Sequence, residues 1–273
     1  MSDIDHPGMA AGVDVQPCPV LSRRKVSTRM WVLRIQAPWV AESVVAGQFV
    51  NLKCASGPLL RRPFSVYDAD PQQGWVEVVM EAVGGGTRML IDPALSEVDL
   101  LGPLGRGYRI VAASTVALVS GGVGVAPMPL AARQAAKLGC KVSWIHGARS
   151  AAEVCAESWG DRIRIATDDG SQGFCGSVLE LWGSLASADG GFDVTLACGP
   201  NPMLAALAVS CPRAQVLVET YMGCGTGVCL GCAVPLVSGG YDRACTEGPV
   251  YLADRVEWIR LPGALHYFGV DQR

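Results

Sequence analysis

The pattern of hydrophobic and polar positions changes twice along the chain, which predicts three successive zones. Residues 15–112 hold short apolar segments that are separated by Gly and Pro turn signals and show little helical period. Strands are predicted at 30–35, 48–53 and 75–80. Short strands with this punctuation are typical of a small antiparallel barrel or sandwich.

Strand and helix patterns alternate in residues 113–215. Strands are predicted at 116–119, 141–145, 162–166 and 194–197, and helices at 129–138, 151–158 and 202–209. This alternation predicts βαβ units and a parallel sheet that is covered on both faces. Residues 216–273 are rich in Cys and Gly and have almost no helical period. Hydrophobic burial alone is not expected to hold this segment together, and we expect a metal centre to supply the missing constraint.

Composition narrows the class of partner. Of 273 residues, 50% are hydrophobic and 17% are charged, and the net charge is −3. Without a basic excess, nucleic acid is not expected as a partner. Two uncharged runs, 110–132 and 194–212, are broken by Gly and Pro, so we expect buried strands and glycine turns there and no membrane contact. The first 19 residues lack a signal-peptide core, and the eleven cysteines then indicate a reducing, cytoplasmic location.

Four of these cysteines have the spacing of metal ligands. Cys224, Cys229, Cys232 and Cys245 form a C-x4-C-x2-C-x12-C pattern. This is the plant-type [2Fe-2S] arrangement, and the interleaved glycines let backbone N–H groups approach the cluster sulfur. Structural zinc is the alternative, although zinc sites usually use two short Cys pairs. The other seven cysteines show no ligand spacing.

Glycine-rich and arginine-rich loops are the remaining candidates for chemistry. Residues 61–65 (Arg-Arg-Pro-Phe-Ser) and 83–87 (Val-Gly-Gly-Gly-Thr, before a helix predicted at 88–91) suit an anionic flavin cofactor, and plain turns are the equal alternative. Residues 121–127 follow a buried strand and precede a helix, without a G-x-G-x-x-G fingerprint. Residues 198–203 end a later strand of the same sheet. Both loops are therefore expected to line one crevice, with structural turns as the alternative.

The order of these motifs resembles the electron-transfer subunits of dihydroorotate dehydrogenase B, within the ferredoxin–NADP reductase superfamily. The resemblance covers about residues 25–258. Its marks are residues 47–49, 60–65, 83–87, 102–108, 121–127, 198–203, 219–232 and 245–250. It implies three domains: an FAD-binding antiparallel β-barrel (15–112), an NAD-binding α/β domain (113–215) and a small C-terminal [2Fe-2S] domain (216–273).

The resemblance also implies site residues and a function. The FAD site would comprise Arg62, Pro63, Phe64, Ser65, Val79, Met80, Glu81, Gly86 and Thr87. The NAD site would comprise Gly121, Gly122, Gly124, Pro127, Cys198, Gly199 and Pro200. Electrons would pass between NAD(H), FAD, the cluster held by the four cysteines and the FMN of a catalytic subunit, in pyrimidine synthesis and as a heterotetramer with two of each subunit. No acid–base catalytic residue is expected, because the cofactors carry the chemistry.

Two departures and two alternatives accompany this interpretation. Gly85 stands where relatives commonly have Lys, and Glu81 where Arg is frequent, so less positive charge is expected near the flavin phosphates. The nearest alternative is the small subunit of an NAD(P)H:ferredoxin or sulfide oxidoreductase. Asp is often a cluster ligand in some of those relatives, whereas all four ligands are Cys here. A zinc-stabilised binding module without a redox role is the second alternative.

Overall fold

Six antiparallel strands close into a barrel in the first part of the chain, and this confirms the predicted barrel. The computed structural model describes residues 14–54, 60–155, 163–188 and 190–261. The barrel strands, in the spatial order β1-β2-β5-β4-β3-β6, are β1 (Asp14–Lys25), β2 (Met30–Gln36), β3 (Phe49–Lys53), β4 (Arg62–Asp70), β5 (Trp75–Glu81) and β6 (Glu97–Leu104). Leu33, Ile35 and Leu52 fill the interior without exposure to solvent. Two short helices, α1 (Pro38–Ser43) and α2 (Gly85–Leu90), follow β2 and β5.

The second part is the predicted α/β region. Its strands and helices are β7 (Thr115–Gly121), α3 (Met128–Lys137), β8 (Lys141–Ala148), β9 (Ile163–Thr167), β10 (Phe174–Cys175), α4 (Val178–Ala188), β11 (Val194–Cys198), α5 (Asn201–Ser210) and β12 (Gln215–Leu217). The strands pair in parallel in the order β10-β9-β8-β7-β11-β12. The central strand β7 is apolar along most of its length and buried, as expected for a sheet covered on both faces. No helix among the described residues is long and apolar enough to cross a bilayer.

One predicted helix differs in the structure. The segment 151–158 forms a single 3-10 turn, Ala151–Glu153, and Val154 then has extended dihedral angles. The turn buries none of its own residues, so tertiary packing does not stabilise a longer helix there, and the chain continues in extended form to the buried Cys155. Residues 156–158, and the first residue of the strand predicted at 162–166, lie outside the described residues.

The cysteine-rich part is joined to the parallel sheet. It contains β13 (Ala233–Pro235) and β14 (Tyr241–Arg243), which pair with each other, and β15 (Val250–Leu252). Strand β15 adds to the sheet as an antiparallel edge strand beside β12. Strand β12 itself crosses the boundary expected between residues 215 and 216. The cysteine loops are therefore held between two strands of a large sheet, which fixes their position.

Direct hydrogen bonds connect the barrel to the α/β region. Arg133 of α3 forms an ion pair with Asp68 of β4 and donates to the Ala69 carbonyl at 2.9 Å. The next residue, Gln134, accepts from the Ala46 amide at 2.9 Å. A cleft between these two units therefore has walls that are fixed relative to each other.

Candidate cofactor sites

A cleft with a volume of about 230 Å³ opens where the barrel, the parallel sheet and the cysteine-rich part meet. Most of the predicted flavin residues line it. They come from β4, from β5 and from the start of α2, and they are Pro63, Phe64, Ser65, Val79, Met80, Glu81 and Thr87. Because β4 and β5 are neighbouring antiparallel strands, their side chains reach the same volume.

The other two predicted flavin residues, Arg62 and Gly86, contact each other. A Cβ atom on Gly86 would overlap the Arg62 guanidinium, so the absence of a side chain at this position allows the arginine to lie there. Arg62 also donates to the Leu60 carbonyl at 2.8 Å. The preceding Arg61 instead bonds Asp99 on β6 at 2.8 Å, so the two adjacent arginines have different partners.

The two positions that depart from the family pattern differ in environment. The Glu81 carboxylate lies 3.4 Å from the Arg29 guanidinium, which offsets its negative charge. A Cβ atom on Gly85 would meet nothing within 4 Å. The acidic residue is therefore compensated by an arginine in the turn that precedes β2, and Gly85 faces open space.

The two predicted nucleotide loops lie against each other. Strands β7 and β11 are parallel neighbours, so the loops that follow them leave the sheet at the same edge. A Cβ atom on Gly124 would be 2.5 Å from the Cys198 carbonyl carbon and 2.6 Å from the Gly199 nitrogen. A Cβ atom on Gly121 would be 3.3 Å from Pro200 Cδ. The contact between the loops therefore depends on glycine at these positions.

Cys198 is the predicted nucleotide residue that reaches the cleft, together with Val123 and Ala126 of the glycine loop. Burial raises the pKa of the Cys198 thiol well above its ordinary value, and the charge of Glu219 adds to the effect. The side chain is therefore a neutral thiol at neutral pH. Gly122 (φ +54°) and Pro127, which precedes α3, shape the loop and do not line the cleft.

Sequence analysis did not assign part of the cleft wall. These residues come from the start of β3, the end of β12, the segment between β12 and Cys224, and the turn before β15: Phe49, Leu217, Val218, Glu219, Thr220, Met222 and Pro249. Strand β12 has only three residues, too few to give a recognisable pattern. The usable signal was the family resemblance, whose marks include residues 47–49, 219–232 and 245–250.

Backbone N–H groups are directed at the cysteine sulfurs. Cys224 Sγ accepts from the amides of Thr226 and Cys229, both at 3.4 Å. Cys245 Sγ accepts from the Gly227 amide at 3.1 Å and lies 3.2 Å from Cys232 Sγ. Such donors stabilise sulfur that carries negative charge, which is the state in which cysteine binds iron.

The four thiols fall into two environments. Burial opposes a charge on Cys224, but the N–H donors outweigh it and lower the pKa of this thiol to about 6. Burial and the nearby Cys232 raise the pKa of Cys245. Within the described ranges, no three or more His, Cys, Asp or Glu side chains surround one metal position. The donor set, thiolates that accept backbone N–H groups, fits an iron–sulfur cluster. The ligands of such a cluster are not arranged around a single metal ion.

The segment that carries the four cysteines, residues 224–245 and called the cysteine loop below, has a buried side and an exposed side. Cys232 and Cys245 are each 2% exposed and pack with Phe49 in one apolar cluster. Cys229 is exposed, and its neighbours Val228 and Leu230 are 82% and 63% exposed. The buried side therefore faces the barrel, and the exposed side is available to another protein.

Similar solved structures define the class. The NADH-dependent reduced ferredoxin–NADP oxidoreductase matches with a TM-score of 0.79 and 26% identity over 89% of this chain and 91% of that chain. Phthalate dioxygenase reductase has the same fold, with a TM-score of 0.58 and 16% identity over 89% of this chain and 95% of that chain. The barrel, the parallel sheet and the cysteine-rich part are those of a ferredoxin–NADP reductase-like electron-transfer protein, so the predicted fold class is confirmed.

Sequence relatives define the family within this class. Residues 219–257 match the iron–sulfur cluster binding domain of dihydroorotate dehydrogenase B. The electron transfer subunit of dihydroorotate dehydrogenase B (NAD(+)) from Bacillus caldolyticus is 39% identical over 87% of this chain and 96% of that protein. The same subunit from Desulforamulus reducens is 34% identical over 88% and 97%. The chain belongs to the family of dihydroorotate dehydrogenase B electron transfer subunits.

Proposed function

We propose that this chain relays electrons between NAD(H) and the FMN-containing catalytic subunit of dihydroorotate dehydrogenase B. In the complete reaction, dihydroorotate loses two hydrogens to become orotate, NAD⁺ accepts a hydride and one proton is released. The observation that carries the proposal is the common cleft, because barrel, parallel sheet and cysteine-rich part all contribute to its wall. We also propose a cytoplasmic complex with two copies of each subunit.

Different residues at the cleft would bind different parts of FAD. Pro63, Phe64 and Ser65 would hold the flavin ring, and Arg62 would meet its phosphates, because a guanidinium bonds phosphate oxygens at two points. Val79, Met80, Glu81, Gly86 and Thr87 would complete the FAD site. We also propose three functional regions, 15–112 for FAD, 113–215 for NAD and 216–273 for the cluster, with β12 shared between the last two.

The nucleotide would bind from the sheet side. Gly121, Gly122, Gly124 and Pro127 would form the loop beneath it, and Cys198, Gly199 and Pro200 would position the nicotinamide. As a neutral thiol, Cys198 would add no charge near the reacting carbon. When bound, FAD and the cluster supply the redox chemistry: a hydride is exchanged with NAD(H), and electrons pass singly through the iron–sulfur centre.

Cys224, Cys229, Cys232 and Cys245 would hold the [2Fe-2S] cluster, and its exposed side would face the partner. Purified protein is expected to contain FAD, two iron atoms per chain and an EPR signal after reduction. Zinc in place of iron, or a colourless protein, would contradict the assignment. The complete activity is tested by mixing the chain with the catalytic subunit of the same organism and measuring NADH formation from dihydroorotate.

A charge at the exposed side tests where the partner binds. Val228→Asp is expected to reduce dihydroorotate-dependent NADH formation about tenfold or more, since burying an unpaired carboxylate at an interface opposes association. Val209→Asp is the matched control, because Val209 is 85% exposed and lies on α5. Both variants are expected to keep NADH-driven reduction of a small artificial acceptor. Equal losses of coupling in the two variants would contradict this docking site.

A second candidate function is favoured by the similarity to the NADH-dependent reduced ferredoxin–NADP oxidoreductase. In that case the exposed side of the cysteine loop would receive a ferredoxin. The two functions are separated by offering the reduced protein either ferredoxin or the catalytic subunit. Rapid oxidation by ferredoxin, with no response to the catalytic subunit, would favour the second candidate.

A further inference from the structure

Asn51, in the middle of barrel strand β3, touches the loop of the first cluster cysteine. Its Nδ2 atom donates to the Cys224 carbonyl at 3.2 Å, across 173 positions of sequence. The next residue, Gly225, has a φ of +76°, and a Cβ atom there would overlap Asn51 Nδ2 and lie 3.3 Å from Leu104 Cδ1. The Asn51 amide therefore fits directly against the Cys224–Gly225 backbone.

This contact is unfavourable as ordinary core packing. Asn51 is 1% exposed, and its Oδ1 atom has no hydrogen-bond partner among the residues described. A buried polar atom without a partner costs roughly 1–3 kcal/mol. A leucine of similar size would pack at this position without that penalty. The stability of the barrel therefore does not explain an amide here, whereas the hydrogen bond to the cysteine loop does.

The same strand also borders the cleft. Side chains alternate along a strand, so Phe49 and Asn51 project from one face of β3, away from the barrel interior occupied by Val50 and Leu52. Phe49 lines the cleft, and so does Pro63, which is paired with Asn51 across β3 and β4. One short strand thus contacts both the proposed flavin site and the cysteine loop.

We infer that Asn51 is a positioning residue that fixes the Cys224–Gly225 turn against the flavin barrel and so sets the rate of electron transfer between FAD and the cluster. The inference rests on the proposed function. Transfer between two bound cofactors depends on their separation and orientation, which only the protein can fix. Asn51 is the buried polar side chain that joins the strand behind the flavin cleft to the backbone of a cluster ligand.

The test is Asn51→Leu in the full-length protein with FAD and cluster bound. We expect the EPR spectrum and midpoint potential of the cluster to shift, because the Cys224 carbonyl loses its donor. Stopped-flow reduction by NADH should show an unchanged flavin-reduction phase within about twofold and a cluster-reduction phase slowed about tenfold or more, as expected when a reacting group is misplaced by a fraction of its approach distance.

Gln48→Met is the matched control. Gln48 is also a buried amide that donates to a backbone carbonyl, that of Gly105 at 2.8 Å, and it does not contact the cysteine loop. Its loss is expected to lower stability and to leave the EPR spectrum and potential of the cluster unchanged. If Asn51→Leu behaves like Gln48→Met in all three cluster measurements, the inference is wrong.

A second variant approaches the same contact from the other side. In Gly225→Ala the new methyl group displaces Asn51, and the cluster spectrum should shift as in Asn51→Leu. If Asn51→Leu binds FAD but no cluster while Gln48→Met binds both, the positioning role is supported. A wild-type protein without a cluster would overturn the proposed function. A wild-type protein with normal transfer, beside an Asn51→Leu variant that matches it, would overturn only the role of Asn51.

Discussion

The contact between Gly86 and Arg62 makes a prediction about flavin binding that can be worked out from the structure. In Gly86→Ala the added methyl group would overlap the Nε, Cζ and Nη2 atoms of Arg62, at separations that real Cβ atoms essentially never show. The Arg62 side chain is flexible and must move. The perturbation therefore displaces a guanidinium and leaves the barrel backbone in place.

The size of the effect follows from the bond that is lost. One hydrogen bond between a charged pair contributes about 1.5–3 kcal/mol. If Arg62 meets the FAD phosphates, its displacement should raise the FAD Kd roughly 10- to 150-fold. Stability should change less, because the hydrogen bond that Arg62 makes within the described residues is an exposed one, to the Leu60 carbonyl.

Adjacent glycines provide the control. Gly85→Ala places a methyl group where nothing lies within 4 Å, one position earlier in the same helix α2. Titration of the apoprotein with FAD, followed by quenching of flavin fluorescence, measures Kd for both variants and for Arg62→Ala. Gly86→Ala should approach the Kd of Arg62→Ala, and Gly85→Ala should match the wild type. If both glycine variants bind FAD equally tightly, Arg62 does not hold the cofactor.

Three further predictions concern stability and nucleotide binding. Burial lowers the pKa of His146 to about 4, so its folded form stays neutral while the unfolded chain gains a proton below pH 6.5. The unfolding free energy should therefore fall by up to about 3 kcal/mol between pH 6.5 and 4. Denaturant unfolding of His146→Gln should lack this pH-dependent loss. Arg61→Ala should lower the unfolding free energy by about 1 kcal/mol in the same assay, yet leave the FAD Kd within about threefold, the reverse of Arg62→Ala. Gly124→Ala should raise the KM for NADH about tenfold or more in steady-state assays, since its Cβ would meet the rigid Cys198 backbone, with FAD content unchanged. Three results would contradict these predictions: an equal loss of stability at low pH in His146→Gln and the wild type, weaker FAD binding in Arg61→Ala, or an unchanged KM for NADH in Gly124→Ala.

Local pattern was sufficient where local geometry decides the structure. The alternation and turn signals predicted β2, β3 and β5, and the apolar run before Gly121 predicted β7. The cysteine spacing identified a candidate ligand set, because the four cysteines lie within one loop and its return. The glycine loops could be assigned to one crevice because parallel strands place their carboxyl ends at the same edge of a sheet.

Contacts between distant segments were beyond local pattern. No periodicity indicates that β15 returns to pair with β12, or that Pro249 reaches the flavin side of the cleft. Local pattern likewise does not distinguish Arg61 from Arg62, since only barrel closure puts Asp99 beside the first of them. These features depend on strand register and on how the sheet closes, which are set by the whole fold.

The same distinction explains why the cysteine-rich part works as a component of this protein. Its loops are expected to gain their order from the metal and from two strands, β12 and β15, which belong to the nucleotide-side sheet. Cys232 and Cys245 pack with Phe49 of the barrel, and Asn51 of the same strand bonds the Cys224 carbonyl. Each proposed cofactor site thus shares a wall with the next one, so a change in one wall is expected to alter two sites. The Gln48 and Asn51 variants separate the effect of barrel stability from the effect of that shared wall, because Asn51 reaches the cysteine loop and Gln48 does not.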